Sequence, residues 1–247
     1  MGETTGDKIK RFAAMRREKG LLATTCYACS RILPRVMWLL EDRVLWGALA
    51  RRTRKGVPAS ELAIEGPNQI FANRYEAVPT PALVMWLIRK VLPVDRSTWT
   101  FVDVGAGKGR AVAAAATQGF RSSIGIELAR DLCTEANSLL ADLGFCDGSG
   151  RVRVDQADAT DFPIPPGPCV FFLFNPFQES VVSQFVDHVM ASYAREPRPI
   201  RFVYLNPVWK SRFEQRLELR PVKLPTIIST VFSTLSPYSV CVFEVSG

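Results

Sequence analysis

Several features are scarce in this 247-residue sequence, and each shortage excludes a class of protein. Six cysteines are too few for a disulfide scaffold. Sixteen glycines and seventeen prolines follow no period, which excludes collagen-like and low-complexity chains. Since 47% of the residues are apolar, the chain can bury a sizeable core and does not have the composition of a disordered protein.

Long apolar runs are missing as well. The longest uncharged run, residues 224–243, holds two prolines and many β-branched residues, so it predicts strands and a turn instead of a membrane span. No apolar segment follows the basic residues of the first twenty positions, and we therefore expect no signal peptide and a cytoplasmic location. Those basic residues are Lys8, Lys10, Arg11, Arg16, Arg17 and Lys19.

Positive charge is concentrated in the first quarter of the chain. Residues 1–60 hold 13 Lys and Arg against 5 Asp and Glu, whereas the whole chain has a net charge of +7. Three interpretations stay open: a solvated helical cap, a surface for an acidic partner such as nucleic acid or an acidic protein, and peripheral attachment to an anionic membrane. Binding to nucleic acid predicts a steep loss of affinity with salt, and membrane attachment predicts binding to anionic but not neutral vesicles.

Periodicity divides the chain into a basic helical N-terminal extension, residues 1–60, and a main domain, residues 61–247. Helical patterns cover 7–19, 31–54 and 81–92. Beyond them, short apolar runs alternate with helical segments, which predicts a parallel sheet with helices on both faces. The predicted strands are 101–104, 123–127, 151–158, 170–174, 201–205, 222–232 and 239–245, and the predicted helices are 110–118, 129–143, 179–193 and 208–217. The last two strands lack a helix between them, so we expect an antiparallel hairpin at the sheet edge.

The strongest motif is FVDVGAGKGR, Phe101–Arg110, in which a buried strand enters a glycine turn and then a helix. Gly105, Gly107 and Gly109 permit a tight turn and a close approach of backbone to ligand. The helix start offers free N–H groups and a positive dipole end. Glu127 ends the next strand, where an acid can accept hydrogen bonds from a ribose diol. Together these parts predict a nucleoside-binding unit.

The turn is poorly suited to a dinucleotide. A pyrophosphate-binding loop has Gly or Ala at the sixth position from the first glycine, and here Arg110 stands there. Asp103, two residues before Gly105, would repel a pyrophosphate but suits a cofactor with a cationic amino group. The pattern Asp-x-Gly-x-Gly-x-Gly, followed by an acid after the second strand, resembles the S-adenosylmethionine site of class I methyltransferases.

That resemblance covers roughly residues 75–245 and implies a Rossmann-like, seven-stranded, mostly parallel sheet with an antiparallel C-terminal strand. In QADAT it implies that Asp158 meets the adenine amino group and that the backbone of Ala159 meets the ring. DVGAGKGR, the GIE strand and FNPF look like a group of bacterial class I enzymes, distantly similar to the non-SET lysine methyltransferases. The cofactor-binding residues implied are Asp103, Gly105, Ala106, Gly107, Glu127, Asp158 and Ala159.

The segment FLFNPF, residues 172–177, places an amide directly after the most apolar strand. Asn175-Pro176-Phe177 resembles the Asn/Asp-Pro-Pro-aromatic corner of amino-methylating enzymes, whose oxygens accept hydrogen bonds from the target nitrogen. Pro176 has no N–H, so the corner presents acceptors, and Phe177 can stack on a flat or cationic substrate. The sequence has one Pro instead of two and Phe instead of Tyr or Trp. Methyl transfer to an amine nitrogen is therefore a hypothesis.

Simpler roles remain open for several of these residues. Glu127 could be a solvated acid, Asp158 a turn residue that exchanges roles with Asp161, and Asn175 a helix cap. At the level of function, the alternatives are a nucleotide-dependent oxidoreductase and a non-catalytic nucleic-acid- or membrane-binding module with a vestigial nucleotide site. Stabilisation by S-adenosylhomocysteine and not by NAD distinguishes the methyltransferase from the oxidoreductase.

Weaker candidates lie outside these motifs. Asn206 precedes a second proline at a strand end and is a candidate substrate contact or a helix cap. Tyr75 is a candidate lid residue or a loop anchor. His188 lies inside a predicted helix and receives no catalytic role. Cys26 and Cys29 lack a second ligand pair at suitable spacing, so we expect no metal.

Overall fold

A computed structural model of the chain describes residues 95–145, 147–235 and 238–245, together with Thr53. Seven strands and five α-helices occupy this part of the chain, after a short 3-10 turn at Arg96–Thr98. The strands are β1 Thr100–Val104, β2 Ser122–Glu127, β3 Val152–Gln156, β4 Cys169–Phe174, β5 Ile200–Leu205, β6 Leu219–Pro221 and β7 Val240–Val245. The helices are α1 Arg110–Thr117, α2 Arg130–Asp142, α3 Glu179–Arg195, α4 Ser211–Glu214 and α5 Thr226–Leu235.

All seven strands form one sheet in the order β3-β2-β1-β4-β5-β7-β6. The pairs from β3 to β5 are parallel, and β7 runs antiparallel to both β5 and β6. This confirms the predicted Rossmann-like, mostly parallel sheet with an antiparallel C-terminal strand. The strand order reverses between β1 and β4, and in open α/β sheets ligands bind at the carboxyl ends of strands beside such a point.

Helices cover both faces of the sheet because alternate residues of β1 point in opposite directions. Phe101 packs in the cluster that includes α1, whereas Val102 packs in the cluster that includes α3. The strand β4 is buried along nearly its whole length, as its sequence CVFFLF indicates. A continuous apolar strand of this kind belongs at the centre of a sheet covered on both sides.

The C-terminal hairpin prediction was wrong in its first strand and in its connection. Residues 222–232 are not a strand, since α5 occupies Thr226–Leu235 and only the short β6 precedes it. The predicted antiparallel pair at the sheet edge is present, but β6 and β7 form it and α5 separates them along the chain. The β-branched residues of 226–231 favoured a strand locally, but β propensity depends on packing. Pro225 instead starts a helical turn, and its carbonyl accepts from the backbone N–H groups of Ile228 and Ser229.

A second difference concerns the helix predicted at 208–217. Only Ser211–Glu214 is helical, and the preceding residues form turns. The domain boundary at residue 60, the helices at 7–19 and 81–92, Tyr75 and the pair Cys26 and Cys29 lie outside the described residues. Thr53 is the one described residue of the N-terminal extension; it is helical and buried.

Candidate functional site

The glycine turn after β1 adopts the backbone conformation that its sequence predicts. Gly105, Gly107 and Gly109 have φ values of 80°, 52° and 74°, a region that residues with a Cβ rarely enter. The N–H groups of Gly105 and Ala106 both donate to the carbonyl of Ile126, at 2.9 Å each. The end of β2 therefore holds the turn, which leads directly into α1.

The Glu127 carboxylate bridges the glycine turn and the start of α2. Its Oε2 accepts from the Gly107 N–H at 2.8 Å and its Oε1 from the Ala129 N–H at 2.9 Å. Burial raises the pKa of this carboxyl, while the N–H donors oppose that rise. A carboxylate offers about four acceptor positions, so both oxygens can also receive hydroxyl donors. Glu127 is thus fixed by the backbone and is not simply a solvated acid.

Asp103 is a buried carboxyl without a hydrogen-bond donor. Its side chain is 4% exposed, and no described N–H or O–H donates to it. Burial, with the charge of Glu127 as a second cause, raises the pKa of Asp103 to about 8. A buried carboxylate becomes favourable only when it is paired with a positive charge or hydrogen-bonded. Asp103 therefore fits a ligand that brings its own cation, as the ammonium group of an amino acid would.

The glycine turn lies directly against the Asn-Pro-Phe corner. A Cβ added to Gly105 would lie 2.6 Å from the Cβ of Pro176, closer than real side chains approach. Gly105 and Pro176 are 71 positions apart in the sequence, and the neighbouring strands β1 and β4 bring them into contact. A ligand held by the glycine turn would consequently lie beside the corner.

Asn175, between β4 and α3, has a left-handed backbone with φ of 41°. It does not cap α3, whose N-cap position is Gln178. Its Oδ1 accepts instead from the Tyr204 hydroxyl at 3.3 Å. The carboxamide is thus oriented from β5, and the helix-cap alternative is excluded.

Asn206 occupies the equivalent place after β5, with φ of 51°. Strand pairing of Phe174 with Leu205 places Asn206 beside Asn175 at the same edge of the sheet. Its N–H donates to the carbonyl of Ser239 at 2.8 Å, and no hydrogen bond involves its side chain among the described residues. The structure thus places the two predicted asparagines side by side, but a side-chain hydrogen bond holds Asn175 and a backbone hydrogen bond holds Asn206.

Asp158 organises its own loop. Its Oδ1 accepts from the N–H and hydroxyl of Thr160, at 2.9 and 2.8 Å, and its carbonyl accepts from the N–H groups of Asp161 and Phe162. The turn role is present, and contact with an adenine remains a prediction. Ala159 is buried, so only its backbone can contribute. The loop joins the site through the Ala157 N–H, which donates to the Glu127 carbonyl.

Other polar groups near the site have structural roles. His188 Nε2 donates to the Phe162 carbonyl at 2.7 Å, so it anchors the β3–β4 loop to α3. Glu179, the first residue of α3, has its Oε1 occupied by Arg212, with N···O distances of 2.7 and 2.9 Å. Lys108 pairs with Glu135 at 3.0 Å and ties the glycine turn to α2.

Sequence reasoning missed Tyr204 and Trp209. Tyr204 is 0% exposed, and its hydroxyl accepts from the Trp209 N–H at 3.4 Å. Trp209 Nε1 also donates to the Phe177 carbonyl at 3.2 Å. The available signal was a tyrosine inside the apolar strand RFVYL, because a buried tyrosine hydroxyl usually finds a partner.

Within the described ranges, no helix has the length and apolar character needed to cross a membrane. The same residues contain no group of three or more His, Cys, Asp and Glu placed to hold a metal ion.

The architecture has known counterparts among solved structures. The protein yhhF of Escherichia coli, whose structure bears the name of a methyltransferase, is 15% identical to this chain. The match covers 68% of this chain and 88% of the yhhF chain, with a TM-score of 0.50. An RNA methyltransferase from Salinibacter ruber, in complex with S-adenosyl-L-homocysteine, is 21% identical over 68% and 92%, with a TM-score of 0.45. A ribosomal protein L11 methylase from Lactobacillus delbrueckii subsp. bulgaricus is 14% identical over 66% and 76%, with a TM-score of 0.42.

The described domain has the class I methyltransferase fold. At this level of identity the likeness to the Escherichia coli protein shows the architecture and not the substrate. No family model matches the sequence, and no curated protein matches it either.

Proposed function

We propose that the protein transfers a methyl group from S-adenosylmethionine to an amine nitrogen of a protein or small molecule. The observation that carries this proposal is the contact of Gly105 with Pro176, where an added Cβ would be 2.6 Å away. It places the predicted cofactor turn and the predicted transfer corner side by side, at the reversal of strand order where α/β sheets bind ligands.

The residues of the first half of the domain fit the cofactor in charge and hydrogen bonding. Asp103 would pair with the ammonium group, which supplies a positive charge that no described residue brings to this buried carboxyl. Glu127 would accept from the ribose hydroxyls while it holds the N–H groups of Gly107 and Ala129. Asp158 and Ala159 lie on the loop joined to Glu127 and are placed beside the base in this proposal.

The corner would hold the methyl acceptor. When bound, S-adenosylmethionine supplies an electrophilic methyl group on a sulfonium, and the carbon–sulfur bond breaks as the carbon–nitrogen bond forms. Asn175 Oδ1 retains one lone pair beyond that used by Tyr204 and can accept from the acceptor's N–H. The nitrogen lone pair would then be aimed at the methyl group, which accelerates transfer through orientation. The proton would leave to water or to the carboxylate of Glu179, whose Oε1 is paired with Arg212.

The remaining parts of the proposal concern location and partners. The protein would act in the cytoplasm, and the excess of positive charge in residues 1–60 would direct it to an acidic partner or an anionic membrane surface. Vesicle flotation and salt-dependent nucleic-acid binding separate these partners. Binding to neither would leave residues 1–60 as a solvated cap.

The cofactor is tested by thermal unfolding with S-adenosylhomocysteine and, separately, with NAD. We expect stabilisation by the first compound only. Stabilisation by NAD alone would reverse the assignment in favour of an oxidoreductase. Mass spectrometry of cell extract treated with the enzyme and isotopically labelled S-adenosylmethionine then identifies the acceptor, and a label on carbon, sulfur or oxygen would contradict transfer to nitrogen.

A further inference from the structure

The corner contains a hydrogen-bond relay whose central residue no motif predicted. We propose that Tyr204 is the positioning residue of the transfer corner and that its hydroxyl sets the rotation of the Asn175 carboxamide. This inference rests on the proposed function for its consequence in catalysis. The geometry on which it depends involves Tyr204, Asn175 and Trp209.

The relay has a defined direction. The Trp209 N–H donates to the Tyr204 oxygen at 3.4 Å, and the Tyr204 hydroxyl donates to Asn175 Oδ1 at 3.3 Å. Because the Tyr204 oxygen already accepts from the Trp209 N–H, its hydroxyl proton is available to donate, which favours the carboxamide oxygen at this position. Both distances are long for hydrogen bonds. Each bond is therefore weak in the free protein, and catalytic hydrogen bonds of this kind can shorten when the substrate binds.

An asparagine in the corner needs such a guide. The oxygen and the NH2 group of a carboxamide have nearly the same size and shape. The last torsion of asparagine is broad and roughly two-fold, so the two groups can exchange places. A half turn exchanges an acceptor for two donors. If the Tyr204 hydroxyl were absent, part of the population would present N–H groups where the methyl acceptor requires an oxygen lone pair.

Burial and packing make Tyr204 a rigid guide. The side chain is 0% exposed, and its ring packs 5.4 Å from the ring of Phe213, centre to centre. Trp209 contributes a second link, because its Nε1 donates to the Phe177 carbonyl at 3.2 Å. Trp209, which follows β5, thus reaches both ends of the corner. It contacts Asn175 indirectly through the Tyr204 hydroxyl and contacts Phe177 directly.

The test compares Tyr204→Phe with Tyr193→Phe. Phenylalanine keeps the ring at position 204 and removes only the hydroxyl. Tyr193 packs against the same core cluster from α3, away from the corner, and serves as the matched control. The rate of labelled methyl transfer to an extract fraction should fall about five- to tenfold in Tyr204→Phe, the range expected for one hydrogen bond. Affinity for S-adenosylhomocysteine should stay within about twofold of wild type.

A positioning role is separated from a structural one by the Asn175→Ala background. There the Tyr204→Phe substitution should have almost no further effect on transfer, because its target is gone. An undiminished loss in that background would overturn the inference. So would a Tyr204→Phe variant that transfers methyl groups as fast as wild type.

A second readout does not depend on catalysis. In protein labelled with 15N-asparagine, the side-chain NH2 signal of Asn175 is assigned by its loss in Asn175→Ala. It should shift and broaden in Tyr204→Phe and stay unchanged in Tyr193→Phe. An unchanged signal in Tyr204→Phe would overturn the inference. If wild-type protein transfers no methyl group, the proposed function fails, and this signal still decides whether Tyr204 orients Asn175.

Discussion

The two Asn-Pro dipeptides occupy equivalent places in the sheet but differ in their surroundings. Asn175 and Asn206 follow neighbouring parallel strands, and both have a left-handed backbone. Asn175 is oriented through its side chain by Tyr204, whereas Asn206 is held through its backbone N–H by Ser239. Only at the first corner does the following proline, Pro176, meet the glycine turn at Gly105.

Strand order explains this difference. β4 is the direct neighbour of β1, which carries the glycine turn, and β5 lies one strand further away. Adjacent strands are about 4.8 Å apart, so the second corner is displaced by roughly the width of a small substrate group. The comparison teaches that position beside the glycine turn, and not the dipeptide itself, distinguishes Asn175 from Asn206. In the proposed function, Asn175 therefore receives the transfer role and Asn206 would contact a more distant part of the acceptor.

The largest effect is expected where the first corner meets the turn. Gly105→Ala places a Cβ against Pro176, and overpacking of this kind costs about 3 kcal/mol at the upper end. Transfer of labelled methyl should fall roughly 100-fold. Gly119→Ala is the matched control, because Gly119 has the same φ of 80° with no atom within 4 Å of an added Cβ. Equal losses in both variants would mean that backbone strain, and not the contact with Pro176, limits transfer.

The comparison itself is tested by Asn175→Ala against Asn206→Ala. Each variant places an alanine in a left-handed position, at a similar cost of about 1–2 kcal/mol. The difference in turnover between the two variants therefore reflects the different contributions of the two lost side chains. We expect turnover to fall about 30-fold for Asn175→Ala, the scale of one lost orienting contact. For Asn206→Ala it should fall less than about threefold. Calorimetry should show similar affinities for S-adenosylhomocysteine. A larger loss for Asn206→Ala would reverse the assignment of the two corners.

The pH dependence of ligand binding tests Asp103, which lies on β1 and belongs to neither corner. Since the pKa of Asp103 is raised to about 8 in the free protein, its protonated form stabilises the fold, and this contribution declines as pH rises through 8. An ammonium ligand favours the carboxylate instead, so affinity for S-adenosylhomocysteine should increase by up to about 50-fold from pH 6 to 8. Asp103→Asn should weaken binding and remove most of this dependence, as followed by calorimetry. An unchanged pH profile in the variant would mean that another group pairs with the ligand.

The sequence predicted local structure correctly where the conformation requires a particular residue type. The left-handed glycines of the turn and the apolar strand CVFFLF were interpretable from the sequence, because turns and buried strands restrict composition strongly. The helix α5 was not, since its β-branched residues suit a strand and only the packed structure makes them helical. The relay of Tyr204 and Trp209 joins three separate segments by hydrogen bonds, and no spacing in the sequence encodes such a meeting.

By itself, the sequence determined the α/β architecture, the glycine turn after β1 and the amides that follow β4 and β5. Each of these depends on neighbouring residues along the chain, where backbone sterics and side-chain periodicity act directly. Tertiary structure alone decided that Pro176 would rest on Gly105, that Asp103 would be buried with no donor among the described residues, and that Tyr204 would orient Asn175. Those outcomes depend on strand order, because burial and hydrogen bonding join residues that lie dozens of positions apart.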